Sequence, residues 1–79
     1  MKKALHYILS SIVTLPDKIE IKEEEQDGII NLNINVDPSD MGRVIGKNGK
    51  VIRSIRNVIK IPAIRENKKV NVNLLEKPS

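Results

Sequence analysis

The sequence has little of what enzymes and disulfide-bonded proteins use. It contains no cysteine, so neither a disulfide framework nor a cysteine-based zinc site can form. His6 is the one histidine, and the nearby Ser10 and Ser11 are typical of an ordinary helix surface. A catalytic triad or a metal cluster is therefore not expected. We predict a protein that is not an enzyme, that requires no cofactor or metal, and that has no small-molecule substrate.

Long apolar runs are also missing. No segment approaches the roughly 20 apolar residues that cross a bilayer. The residues after the basic start at 1–3 are too polar and too regularly patterned for a signal peptide. We expect a cytoplasmic protein that does not act at a membrane. A chain of 79 residues suits one small domain, which we place at residues 1–76, with a frayed tail at residues 77–79.

Acidic residues are scarce in the second half of the chain. Residues 1–40 hold four lysines and eight acidic residues, for a net charge of −4, whereas residues 41–79 hold ten basic and two acidic residues, for a net charge of +8. A one-sided basic field of this kind favours a polyanionic partner such as nucleic acid. The alternative is an unspecialised, solvated surface.

Apolar periodicity predicts three elements in the first half of the chain. Apolar residues at helical spacing indicate an amphipathic helix over residues 2–14. Strict alternation indicates a half-buried strand over residues 17–23 and a second strand over residues 30–36, which has one apolar and one asparagine-rich face. Asp27-Gly28 between the strands is a strong hairpin signal.

The second half predicts a short helix, a tight glycine turn, a longer helix and a strand. Asp37 as a cap and Pro38 at the first helical position start the short helix. Apolar residues at helical spacing over residues 51–59 indicate the longer helix, which Pro62 either kinks or interrupts. Alternation over residues 70–74 indicates the last strand. The order α-β-β-α-α-β predicts an α+β domain with three helices on one face of a three-stranded sheet.

The glycine turn also carries a family resemblance. The run Ile45-Gly46-Lys47-Asn48-Gly49-Lys50-Val51-Ile52 resembles the Ile-Gly-x-x-Gly-x-x-Ile signature of KH domains, whose GXXG loop clamps a short single-stranded segment by its backbone. The element order matches the type II KH fold, and residues 63–70 are similar to those of small, stand-alone bacterial KH proteins of the KhpA type. The similarity runs from the first helix to the last strand.

This resemblance implies a function and a set of partners. It implies binding of single-stranded RNA through the GXXG loop, in a low-specificity RNA chaperone or post-transcriptional regulator. It also implies a homodimer, a heterodimer with a second, larger KH-containing protein, or both. Because the chain has one tyrosine and no phenylalanine or tryptophan, stacking of bases on aromatic rings is nearly absent. We therefore expect weak, unselective binding by a single copy.

The candidate RNA-binding residues cluster at the glycine turn. The glycines leave backbone open to a phosphate, the side chains at the tip suit phosphate and sugar oxygens, and the start of the following helix favours an anion. The predicted site consists of Arg43, Ile45, Gly46, Lys47, Asn48, Gly49, Lys50 and Arg53. Val44 and Ile52 are further candidates for an aliphatic groove lining, although they also fit a core. We expect Arg56 and Lys60, further along the helix, to be solvated surface.

The segment also resembles three other kinds of binding element. A DNA-reading helix-turn-helix with residues 50–61 as recognition helix is one rival, and a protein-interaction scaffold with a vestigial loop is another. A nucleotide-binding P-loop is excluded because the spacing between its glycines is one residue short and Asn48 stands where a serine or threonine must contact magnesium.

Overall fold

A computed structural model describes residues 1–75 and has the predicted α+β architecture. The helices are α1 (Lys2–Ser10), α2 (Met41–Ile45) and α3 (Lys50–Arg65), and the strands are β1 (Glu20–Gln26), β2 (Ile29–Asn35) and β3 (Lys69–Leu74). Short 3-10 turns precede β1, α2 and α3. The predicted order α-β-β-α-α-β is confirmed. The tail proposed for residues 77–79 lies outside the described residues.

The sheet is mixed, with β2 in the centre. β1 pairs antiparallel to β2, and β3 pairs parallel to β2 on its other side. Asp27 and Gly28 form the predicted two-residue hairpin turn between β1 and β2, with φ angles of 53° and 75°. Positive φ at both positions gives the turn a twist that matches the twist of the paired strands. Because β3 pairs only with β2 in this sheet, its second edge lies open to a neighbouring element.

One face of the sheet is covered by the three helices. Alternate side chains of β2 and β3 point towards the helices, and the strands and helices share one buried cluster that includes Leu5, Leu9, Ile30, Leu32, Ile34, Val44, Ile52, Ile55, Ile59 and Val72. Burying an aliphatic side chain of this size stabilises the fold by about 1.5–3 kcal/mol. The spacing of these residues in the sequence therefore fixes which face of each helix meets the sheet.

The opposite sheet face carries paired asparagines. Asn71 Nδ2 donates to Asn31 Oδ1 at 3.1 Å, and Asn73 Nδ2 donates to Asn33 Oδ1 at 3.2 Å. These side chains are exposed or half-buried, as the alternation predicts. Each amide pair bridges β2 and β3, so the asparagine-rich face satisfies part of its own hydrogen-bonding capacity.

Helix α1 ends earlier than predicted, and a buried carboxylate binds the segment that follows it. Asp40, directly before α2, accepts hydrogen bonds from the backbone N of Thr14 at 3.0 Å, from Thr14 Oγ1 at 2.8 Å and from the backbone N of Leu15 at 3.1 Å. In a continued helix those two amides would donate to carbonyls four residues earlier. The chain instead leaves α1 at Ser10, and β1 begins at Glu20 rather than near residue 17.

Asp40 has no exposed surface, and its charge is held by these contacts. The amide hydrogen bond from Thr14 lowers the pKa of the Asp40 carboxyl, and the Thr14 hydroxyl, the Leu15 amide and the charge of Arg43 act in the same direction, against the effect of burial. Arg43 Nε lies 3.7 Å from Asp40 Oδ1. The carboxylate therefore joins the segment after α1 to the start of α2, which in turn positions the glycine turn.

Helix α3 runs through Pro62 without interruption. The helix extends from Lys50 to Arg65 with Pro62 inside it. Of the two outcomes that the sequence left open, Pro62 therefore does not interrupt the helix. Pro62 has no amide hydrogen to donate to the carbonyl four residues earlier. The next residue, Ala63, is fully buried, so packing against the core holds the last turn of α3 in place.

Candidate nucleic-acid interface

The GXXG loop (residues 46–49) reverses the chain between α2 and α3. Gly46 has φ 74° and ψ 174°, Asn48 has φ 56° and ψ 27°, and Gly49 has φ 72° and ψ 16°. Asparagine tolerates this left-handed conformation better than most residues. The amide of Gly46 donates to the carbonyl of Gly42 at 2.8 Å, and the amide of Gly49 donates to the carbonyl of Gly46 at 3.2 Å. The turn is thus braced from within, with Lys47 and Asn48 exposed at its tip.

The two glycines of the loop have different surroundings. A Cβ built on Gly46 would overlap the side chain of Val51 and would lie 2.9 Å from the Val51 backbone nitrogen. A Cβ on Gly49 would meet only Arg53 Nη2, at 4.0 Å. The absence of a side chain at Gly46 therefore lets the loop pack onto α3. Gly49 leaves space on the exposed side of the turn.

The cations around the loop divide into anchored and extended side chains. Arg53 Nη2 donates to the backbone carbonyl of Asn48 at 3.2 Å, so its guanidinium is held across the loop. Arg43 is drawn towards the buried Asp40. Lys47 and Lys50, by contrast, are exposed on the loop and on the first turn of α3. The loop surface therefore presents two extended ammonium groups and one fixed guanidinium.

The aliphatic residues beside the loop belong mainly to the core. Val44 is completely buried and Ile52 is 8% exposed, so of the two interpretations left open for them, the core is the one that the structure supports. Their side chains fill the space between the helices and the sheet. Ile45 is half-buried, and among the three aliphatic candidates it retains an accessible surface beside the loop.

A polar groove between α3 and the open edge of β3 was not predicted. It has a volume of about 390 Å³ and is lined by Arg56, Asn57 and Lys60 from α3 and by residues 70–73 from β3. Arg56 Nε donates to the carbonyl of Val72 at 3.1 Å, so Arg56 is more than the solvated side chain expected from the sequence. We call this the α3–β3 groove. The helical spacing of Arg53, Asn57 and Lys60 indicates that they share one face of α3, but it does not indicate which strand lies opposite that face.

The basic surface continues at the far end of the α3–β3 groove. Lys60, Lys68 and Lys69 lie there with Ile64 and Val70. Lys68 Nζ is 2.9 Å from Glu25 Oε1, and the hydrogen bond to Glu25 raises the pKa of Lys68. The Lys68 ammonium is therefore paired with Glu25 of β1, whereas Lys60 and Lys69 are exposed.

The fold and the loop together define a class of protein. Two helices joined by a GXXG turn and followed by a strand parallel to the preceding one are the arrangement of a KH domain, and the leading helix and strand are those of its type II form. The family model described as "KhpA/KhpB, KH domain" matches residues 2–74. The chain belongs to this family of KH-domain proteins.

Individual relatives agree over nearly the full length of the chain. The chain is 43% identical to RNA-binding protein KhpA of Clostridium acetobutylicum and 41% identical to that of Clostridium perfringens, each over 75 residues that cover 95% of this chain and 100% of the relative. It is 34% identical to RNA-binding protein KhpA of Chlamydia trachomatis over 76 residues, which cover 96% of this chain and 97% of the relative.

Family membership settles two of the predictions made from the sequence. The chain is a KH domain rather than a helix-turn-helix module, and it is a member of a family of binding proteins rather than enzymes. Among the described residues, none of the helices is long and apolar enough to span a membrane.

Proposed function

We propose that this chain binds single-stranded RNA and that the GXXG loop grips the RNA backbone. The observation that carries this proposal is the geometry at Gly49, where a left-handed backbone with open space outside it lies between the exposed Lys47 and Lys50. Backbone without a side chain admits a phosphate closely, and two ammonium groups supply the charge. The binding site is proposed as Arg43, Ile45, Gly46, Lys47, Asn48, Gly49, Lys50 and Arg53.

The residues proposed for binding have unequal roles. Lys47, Asn48 and Lys50 are placed to contact phosphates, because they are exposed at the tip and on the first turn of α3. Arg53 braces the loop through the Asn48 carbonyl and keeps its other guanidinium hydrogens for the ligand. Gly46 and Arg43 support the loop from behind, through Val51 and Asp40. Ile45 offers an aliphatic contact beside the backbone.

The α3–β3 groove extends the proposed RNA path. From Lys50 to Ile64 the helix rises by about 1.5 Å per residue, or roughly 21 Å, so a single strand held at the loop runs along α3 for several nucleotides. Arg56, Asn57 and Lys60 face this path. A KH loop holds about four nucleotides, which suits the length of the groove.

We infer that the RNA binding of one copy is weak and tolerant of sequence. The one aromatic residue, Tyr7, lies on α1 and is 80% exposed, and it does not line the α3–β3 groove. Affinity then comes mainly from phosphate contacts, which carry no sequence information. This supports a role as a low-specificity RNA chaperone or post-transcriptional regulator in the cytoplasm, with residues 1–76 acting as one KH domain.

We further propose that the chain works as a dimer. Val58, Ile61 and Ile64 form an exposed apolar strip on α3, with 51%, 54% and 60% of their surfaces accessible. Packing against a second copy, or against a larger KH-containing protein, would cover this strip and give two linked RNA sites that act with avidity. Light scattering at increasing protein concentration tests the homodimer. A mass that stays at 8.9 kDa, the mass of one chain, would contradict the homodimer proposal.

The RNA-binding proposal is tested at the tip of the loop. We expect the double substitution Lys47→Asp and Asn48→Asp to weaken binding of a single-stranded RNA by more than about tenfold, because two carboxylates would repel the phosphates. The effect on the free energy of unfolding should be only about 0.5 kcal/mol, since both side chains are exposed and aspartate tolerates the left-handed backbone. Fluorescence anisotropy and thermal melting measure the two effects.

A matched control carries the same charge change away from the loop. Lys3→Asp with Gln26→Glu alters exposed side chains on α1 and at the end of β1, and we expect it to weaken RNA binding far less. Equal binding by the loop variant and the wild-type protein would remove the loop from the mechanism. A preference of the wild-type protein for duplex DNA would contradict the RNA proposal, and failure to bind nucleic acid at modest salt would favour a scaffold.

A further inference from the structure

Asn48 and Gly49 form an asparagine-glycine pair at the tip of the GXXG loop. Among the asparagines of the sequence, only Asn48 is followed by glycine, whereas the others are followed by leucine, isoleucine, valine or lysine. The backbone nitrogen after an asparagine can attack the side-chain amide, and glycine hinders this attack least because it has no Cβ. The pair therefore has a reactivity that the other asparagines of the chain lack.

The reaction at such a pair is deamidation, which needs neither an enzyme nor a cofactor. The Gly49 nitrogen gives up its proton and forms a bond to Asn48 Cγ, and the side-chain nitrogen takes up a proton and leaves as ammonia. The product is a five-membered succinimide ring. Water then opens the ring at one of its two carbonyls, which gives either aspartate or isoaspartate. Water is the one co-reactant, and nothing is oxidised or reduced.

The closed loop delays this attack. The amide of Gly49 donates to the carbonyl of Gly46 at 3.2 Å, so the attacking nitrogen is engaged. The ψ angle of Asn48 is 27°, which in an L-residue places the next nitrogen nearly opposite Cβ and therefore away from the side-chain amide. Ring closure requires that this hydrogen bond breaks and that ψ rotates. The loop must open before Asn48 reacts.

The surroundings of the pair favour both the opening and the attack. The bond from Gly49 is at the long end of the range for N–H···O hydrogen bonds. Asn48 is exposed and has a φ of 56°, so opening releases a backbone conformation that L-residues adopt at a cost. Lys47, Lys50 and Arg53 flank the pair, and their positive charge favours the deprotonated nitrogen.

We propose that Asn48 is a modification site, at which spontaneous deamidation adds a negative charge to the GXXG loop and weakens its grip on RNA. The effect on RNA rests on the proposed function, whereas the modification itself does not. Aspartate places a carboxylate where a phosphate is expected, and isoaspartate also lengthens the loop backbone by one carbon. RNA that holds the loop closed keeps the Asn48 ψ angle fixed, so bound RNA protects the site.

Peptide mapping by mass spectrometry tests the site in the purified protein during storage in mildly alkaline buffer. Asn67 is an internal control, because it is exposed and has a φ of 57° but is followed by Lys68. We expect Asn48 to gain the mass difference between an amide and an acid while Asn67 remains unchanged. Modification of Asn48 that is no faster than that of Asn67 would overturn the proposal.

RNA affinity before and after storage tests the consequence. We expect stored wild-type protein to approach the affinity of Asn48→Asp. That variant should bind a single-stranded RNA oligonucleotide about fivefold more weakly than fresh wild type, the factor that corresponds to two unit charges about 4 Å apart in water. Asn48→Gln keeps an amide but would have to close a less favourable six-membered ring. Its affinity should not change between its own fresh and stored samples, and an equal loss in this variant would overturn the role of Asn48.

The outcomes separate this inference from the proposed function. If fresh protein binds RNA and Asn48 stays intact, the modification site is overturned and RNA binding stands. If Asn48 is modified without loss of affinity, or if bound RNA does not slow its modification, the loop is not where RNA is held, and the consequence proposed here fails with it. If fresh protein binds no RNA, the proposed function fails, and the comparison with Asn67 still decides whether Asn48 is a modification site. Thermal melting confirms that every fresh and stored sample is folded.

Discussion

The junction at Asp40 and the tip of the GXXG loop show two opposite uses of polar groups. Asp40 is fully buried, and its carboxylate accepts three hydrogen bonds from Thr14 and Leu15. Lys47 and Asn48 are exposed, and Asn48 adopts a left-handed backbone that asparagine tolerates better than most residues. A polar group that is paired within the chain stabilises the fold, whereas one that is left open to solvent is available to a ligand.

The same distinction separates the two polar surfaces along β3. On the outer sheet face, Asn31 and Asn33 of β2 accept hydrogen bonds from Asn71 and Asn73, two residues that also line the edge of the α3–β3 groove. In the α3–β3 groove, Arg56 makes one bond to Val72 and has further donors to spare. Both surfaces are rich in nitrogen donors, but only the groove combines unspent donors with positive charge. The two surfaces thus differ in how many of their donors are already paired, rather than in polarity.

The largest expected effect contrasts the two glycines of the loop. We expect Gly46→Ala to lower the free energy of unfolding by about 3 kcal/mol or more, because its φ and ψ suit glycine almost alone and the new Cβ would overlap Val51. Gly49→Ala should cost only about 1 kcal/mol, since it adopts a left-handed conformation with open space around it. Urea denaturation measures both values.

The RNA affinity of these glycine variants sharpens the same contrast. Gly49→Ala should weaken RNA binding in a protein that is still well folded, because the methyl group lies on the side open to the phosphate. Gly46→Ala should weaken binding in proportion to its loss of folded protein. Equal stability of the two variants would show that the loop does not pack on Val51 as described.

A smaller effect is expected at Asp40, and it depends on pH. The folded-state pKa of Asp40 is below its usual value because of the amide bond from Thr14 and the other contacts. A lowered pKa gives stability that is present above the unfolded pKa, about 3.9, and is lost as the pH falls towards the folded pKa. We therefore expect the melting temperature of the wild-type protein to fall on acidification below about pH 4.

Replacing Asp40 tests whether this residue is the cause. Asp40→Asn places an amide nitrogen opposite one of the two backbone donors, so it should lower the melting temperature at neutral pH and flatten the pH dependence in acid. Asp37 accepts a hydrogen bond from the Ser39 amide and also has a lowered pKa. In the Asp40→Asn variant, Asp37 still contributes to the loss of stability in acid. Asp37→Asn is the control that removes this second contribution.

Periodicity was sufficient to predict the elements of the fold. The apolar residues of α3 recur at helical spacing, the apolar residues of β2 alternate, and Asp27-Gly28 has the residue types of a two-residue hairpin. Each of these signals is local, since it depends on residues within a few positions of one another. For that reason the order of helices and strands, and the face that each presents to the core, could be derived from the sequence.

Contacts between distant segments could not be predicted in this way. Thr14 and Asp40 are 26 positions apart, and Arg56 and Val72 are 16 positions apart, so neither contact produces a local pattern. Nothing in the residues next to Asp40 indicates its distant partners, and the sequence predicts Arg56 only as solvated surface on α3. The different surroundings of Gly46 and Gly49 likewise depend on where Val51 packs, which only the folded structure reveals.

The smallest expected effect compares a lysine beside the GXXG loop with an asparagine of the outer sheet face. Lys50→Gln should weaken RNA binding modestly and reduce the slope of log affinity against log salt by about 0.7, as for one lost phosphate contact on a single strand. Asn33→Ala should leave both the affinity and the salt slope unchanged, because Asn33 lies on the outer sheet face, does not line the α3–β3 groove and already accepts a hydrogen bond from Asn73. Anisotropy titrations at several salt concentrations measure the slopes. A reduced slope for Asn33→Ala would show that RNA also contacts the outer sheet face, and the distinction between paired and open polar surfaces would then not predict where this domain binds.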